Sequence, residues 1–162
     1  MHALGNGRVL VHPTMRRPGR AAHPAIGAAL RGLAAAALAI DAYVHITSAG
    51  VYDPAHGGLI TEGNLFRVEA VVAVLTAVAV LVRGTPRVWL LAAVVAASAL
   101  GAVLLYRYVD VGALGPIPNL YEPTWQVPGK LASAYAEGAA LILAAAAVLR
   151  TRRVRPAQGP RR

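Results

Sequence analysis

The chain contains no cysteine. That removes disulfides, thiolate metal sites, thiol nucleophiles and thiol–disulfide relay chemistry together. Charge is scarce, at 14% of residues, and acidic charge is scarcest, with 7 Asp and Glu against 16 Lys and Arg. Lys130 is the one lysine, and every other basic residue is an arginine. Aromatic residues make up only 6% and include a single phenylalanine, Phe66. A base-stacking surface interleaves aromatic and basic side chains. Here the arginines gather at the two ends and beside apolar blocks, so the composition argues against nucleic acid as a partner. No segment repeats convincingly between the two halves, which removes the signature of an inverted-repeat transporter.

What is abundant is apolar. Hydrophobic residues fill 57% of the 162 positions, and mean hydropathy is +0.53. A membrane-crossing helix needs about 20 mostly apolar residues. Four blocks meet that length: 26–48, 64–83, 87–108 and 130–150, and positions 70–82 hold no charge at all. A soluble alanine-rich bundle shows a polar face at every turn, and the second and third blocks have none. Runs such as "GLAAAALA" and "GAALILAAAA" let helices approach closely, the contact on which association in lipid depends. The expected fold is therefore all-α: an integral membrane, antiparallel four-transmembrane-helix bundle over 26–150. Basic segments 1–25 and 151–162 are expected to be disordered and apposed to anionic lipid. The lead "MRRPGR" before the first block suggests a cleaved signal, but Asp41 and His45 stand where cleavage would fall. Met15 offers an alternative translation start. The Arg, Ala, Gly and Val bias points to a GC-rich bacterial genome.

Orientation follows from Lys and Arg placement. Arg8, Arg16, Arg17, Arg20 and Arg31 lie at the start of the first block, Arg83 and Arg87 flank the turn between the second and third, and six arginines from Arg150 onward close the chain. Both termini are thus expected in the cytoplasm of a bacterium, with loops 49–63 and 109–129 outside the plasma membrane. All seven acidic residues, and every aromatic except Trp89, then fall in the outward half. Interfacial belts alone do not account for so one-sided a distribution.

Within that half lies a polar constellation. Asp41 and His45 share one face of the first span at i, i+4. A charged Asp at the centre of a lone span costs roughly 2.5–3.5 kcal/mol, so it should face the bundle interior and find a partner. Glu69 enters the second span one turn in; Glu137 sits two turns into the fourth, with Ser133 one turn above it. Arg67 and Arg107 mark the outer ends of spans two and three. At about 1.5 Å rise per residue, these groups overlap in depth. Asp41, His45, Arg67, Glu69, Arg107, Ser133 and Glu137 are read as one polar network, and four helices are expected to bring Asp41, His45, Glu69, Arg107 and Glu137 to one outward-opening pocket with Tyr43, Tyr106 and Tyr135 around it. The set supports two readings: a network that fixes helix packing, or an ion site. Asp41, His45, Glu69 and Glu137 are candidate ligands of a divalent metal; no cofactor is otherwise expected, since bis-His haem finds no second histidine in a span. Asp53 and His56 in the first outer loop are too few to hold a metal. The four prolines of 109–129 predict an ordered lid, with Trp125 as its interfacial anchor.

The stretch "DAYVHI" followed by "GGLITEGNLFRVEAVVAVL" resembles uncharacterised small four-helix integral membrane proteins of high-GC Gram-positive bacteria. In that group an acid-x-x-x-His first span leads through a Gly-rich loop into a second span opening with "LF". The likeness covers about 38–82, with weaker agreement to the end of the fourth span, and implies the architecture but no activity. For function the first expectation is an accessory or assembly subunit of a larger membrane complex, engaging membrane protein partners through flat small-residue faces and ordered outer loops. The alternative is a small ion, proton or divalent-metal transporter or sensor using Asp41, His45, Glu69 and Glu137. An enzyme ranks last, because no nucleophile–base arrangement is recognisable.

Overall fold

The computed structural model describes residues 22–53 and 60–154. The expectations for the basic ends 1–21 and 155–162, and for His56, fall outside the described residues. Four helices make up the fold: α1 (Ala22–Ser48), α2 (Glu62–Val82), α3 (Pro86–Tyr108) and α4 (Lys130–Val154). There is no strand among the described residues, and each helix is long and apolar enough to cross a membrane. Two boundaries differ from expectation. The first helix starts at Ala22, not residue 26, because Pro24 lies in the first turn, where a missing N–H costs nothing. The fourth continues past Arg150 to Val154, as no breaker intervenes before Pro156.

Local chemistry explains the inner turn. Thr85 caps α3, its hydroxyl accepting from the Val88 N–H, and Pro86 occupies the first helical position. Gly84 closes the turn at φ +48°, and the aliphatic stem of Arg31 lies where a Cβ at that position would project. Arg31 thus reaches the α2–α3 turn from α1.

Packing order gives the topology. Ala34, Val80, Trp89 and Ala147 form one layer, Leu38, Ala77, Ala96 and Ala140 the next, and Ala42 with Ala70 and Ala73 a third. Numbers rise along α1 and α3 while they fall along α2 and α4, so neighbouring helices run antiparallel. Each helix packs on two neighbours in a closed ring, and α2 against α3 is the thinnest side. One end of the bundle carries the α2–α3 turn; the other, the loop end, carries the α1–α2 and α3–α4 connections. The third layer holds residues of α1 and α2 alone.

The core is small and the exterior large. Alanines dominate the buried positions, whereas Leu33, Val71, Leu75, Leu90, Val94 and Ile142 stand exposed. A water-soluble bundle buries its large aliphatic residues. This arrangement suits a surround as apolar as the side chains themselves, with close helix contact supplied by small residues.

Candidate functional site

Between α2 and α3 at the loop end lies a cavity of about 290 Å³. Its walls are mostly apolar, and its polar lining comes from all four helices: His45 on α1, Glu62 and Glu69 on α2, Ser98 and Tyr106 on α3, Lys130 and Ser133 on α4, with Glu122 from the last loop. Phe66 packs edge-on against His45 at 5.1 Å between ring centroids and against Tyr52 at 4.8 Å.

Behind His45 and Ser133 lies a buried cluster. Asp41 is 2% exposed, Glu137 1% and Ser133 3%. The Ser133 hydroxyl stands 2.8 Å from Asp41 Oδ1 and 2.8 Å from Glu137 Oε1. His45 Nδ1 lies 3.0 Å from both the Asp41 carboxylate and the Asp41 backbone carbonyl. Both of those neighbours are acceptors, so Nδ1 carries the hydrogen. The remaining Glu137 oxygen, Oε2, is buried and accepts no hydrogen bond from a donor among the described residues. Two carboxylates therefore share one hydroxyl proton and one imidazole N–H, fewer donors than their lone pairs accept. Asp41, His45 and Glu137 each offer a ligand atom such that all three lie within 4.8 Å of one another.

The other sequence-predicted residues stand apart from this trio. Glu69 lines the cavity, with Oε1 buried and without a hydrogen-bond partner among the described residues. Arg67 is not in the cluster: it forms a two-pronged ion pair with Asp53, at 2.6 and 2.7 Å, and a further bond to Asn64. Gly63 makes this geometry possible, since a Cβ there would collide with the Ala49 carbonyl and Asp53. Arg107 is likewise outside the cluster, its guanidinium 5.0 Å from the Tyr108 ring and 5.7 Å from Trp125. Tyr43 and Tyr135 point away from the bundle, and only Tyr106 of the three tyrosines lines the cavity.

The α3–α4 connection is held in place over the loop end. The Glu122 N–H donates to the Tyr106 carbonyl, and the Ile60 N–H donates to the Pro116 carbonyl, joining the two connections. Lys130 Nζ donates to the Glu122 carbonyl at 2.6 Å and lies 5.7 Å from the Trp125 ring. Sequence reasoning missed this Lys130–Glu122–Trp125 rim, although "YEPTWQVPGK" holds all three. Burial pushes the Tyr52 phenol above its ordinary pKa, with Glu122 and Glu62 adding to the effect. Comparison with known proteins yields no relative: no family model matches the chain, and no curated protein or solved structure is similar to it.

Proposed function

We propose that the protein is a small cation transporter or sensor of the bacterial plasma membrane, admitting its ion from the outside. In this reading both termini are cytoplasmic, the basic ends lie against anionic lipid, and the loop end faces outward. The cavity is then the vestibule, and the Asp41–Ser133–Glu137 cluster behind His45 is its ion site. One observation carries the reading. The cluster joins two buried carboxyl groups, of which Glu137 keeps an oxygen that meets no donor among the described residues, to the back of an open cavity. A network serving only to hold helices together gains by satisfying every buried acceptor. A site that receives a cation keeps acceptors in reserve.

The subunit reading draws less support. It relies on small-residue faces and ordered outer loops for docking, and many of those alanines already pack against one another inside the bundle. The test is flux in proteoliposomes. Asp41→Asn and His45→Gln should each abolish cation movement, or the response to it, in protein that remains folded. Tolerance of both, together with a stably co-purifying partner, would favour the subunit. A reporter fused after Arg162 that proved external would overturn the orientation.

A further inference from the structure

We infer that the cation is a divalent transition metal of the Zn²⁺ or Mn²⁺ kind, bound by Asp41, His45 and Glu137. The inference rests on the cation reading and names the ion. Its first support is charge: two carboxylates at least 98% buried match a divalent ion, and an unmatched buried charge is costly. The second is donor type. An imidazole nitrogen beside two carboxylate oxygens suits mid-series divalent metals, whereas Ca²⁺ and Mg²⁺ favour all-oxygen surroundings. Soft ions such as Cu(I) want thiolate, and the chain has no cysteine. The third is spacing. Ligands on one ion with bonds of about 2.0–2.2 Å lie at most about 4.4 Å apart. The trio already falls within 4.8 Å. A movement of a few tenths of an ångström, on the order of ordinary side-chain adjustment, closes the set. Ser133, bonded to both carboxylates, orients them as outer partners orient metal ligands elsewhere.

Three protein ligands also say what the site is for. Structural zinc sites are closed by four protein ligands, while sites that exchange or react keep a position open. Here His45 and Ser133 face the cavity, so the open side looks toward the vestibule. An exchangeable ion is what transport or sensing needs.

The test uses the full chain in mild detergent, stripped by chelator and then equilibrated with Zn²⁺ or Mn²⁺ against excess Mg²⁺. About one equivalent of the transition metal per chain is expected, retained against the Mg²⁺. Asp41→Asn and His45→Gln should each weaken binding by about tenfold or more, and Arg67→Ala, whose side chain pairs with Asp53 outside the cluster and the cavity, should leave it unchanged. X-ray absorption at the metal edge of wild-type protein should give nitrogen and oxygen neighbours with imidazole scattering, and it needs no variant to fold. Wild type without metal, binding that survives both substitutions in folded protein, or an all-oxygen ligand shell overturns the assignment. Flux of a cation other than a transition metal would leave transport standing and remove this ion. Metal bound in the cluster without flux or response would keep the ion and remove transport.

Discussion

Ser133 on α4 bonds to Asp41 on α1 across 92 residues of sequence, at 2.8 Å and fully inside the bundle. The same hydroxyl touches Glu137 one turn below. It is the bridge that ties the first and last helices at the depth of the site. Ser133→Ala removes the bridge and leaves Asp41 and Glu137 facing each other with no hydroxyl between them. Interhelical hydrogen bonds in membranes average about 0.6 kcal/mol, but an orphaned buried acceptor adds its own penalty. A loss of about 1–2 kcal/mol is expected, read as a lower unfolding midpoint in bicelles. An unchanged midpoint would mean that the α1–α4 contact does not depend on Ser133.

The Arg67–Asp53 pair should behave differently. Both side chains are more than two-fifths exposed, 42% and 43%, and exposed pairs contribute about 0–1 kcal/mol. Arg67→Ala is therefore expected to lower stability only slightly. The difference from wild type should shrink as salt rises, because solvent-facing charges are screened. A large, salt-independent loss would show that Arg67 takes part in the buried cluster after all.

Gly63 offers a sharper probe of the same corner. It is buried at the start of α2, and its N–H donates to the Tyr52 carbonyl. A methyl group there meets the Ala49 carbonyl, which is backbone and cannot rotate aside. Gly63→Ala is expected to cost about 1–3 kcal/mol, as overpacking does, and to displace the connection that carries Asp53. A cross-link placed between Asp53→Cys and Arg67→Cys should form less readily in the Gly63→Ala background. Equal cross-linking yield in both backgrounds would contradict the close approach.

How much of this was legible beforehand depends on distance along the chain. The i, i+4 pairs Asp41–His45 and Ser133–Glu137 follow from helical periodicity alone. The existence of four long apolar helices also follows, because hydropathy acts over whole spans. Which faces meet does not: the rotation of α1 against α4 depends on alanine packing along their full length. Arg67 looked like a network member because it sits two residues from Glu69, about 3 Å away in depth. Its actual partner lies in a loop whose path is decided by the close approach at Gly63, a tertiary feature with no local signature. Arg107 was misplaced for a similar reason, since only the return of the α3–α4 connection brings Trp125 over it. An outward-opening pocket fed by four helices followed from the shared depth of the polar groups, but its lining by Phe66, Val103 and Leu120 did not, because that depends on how the helices and the last loop pack.

The small-inside, large-outside packing makes two neighbouring substitutions diverge in a way no soluble bundle would. Ala73 is fully buried where α2 touches α1, packed with Ala42 and Ala70. Enlarging it in Ala73→Leu forces the helices apart and should cost about 1–3 kcal/mol. Two residues on, Leu75 is 64% exposed on the outer face of α2. Lipid tails are as apolar as leucine, so trimming it in Leu75→Ala forfeits little, about 0.5 kcal/mol or less. In a water-soluble core protein the ranking would be reversed, with loss of the leucine more damaging than growth of the alanine. Unfolding of both variants in bicelles reads the difference directly. If Leu75→Ala proved the more destabilising, α2 would have to be rotated by about half a turn from the face assigned to it. The Ala42–Ala70–Ala73 contact, and with it the placement of Glu69 on the cavity wall, would then fall together.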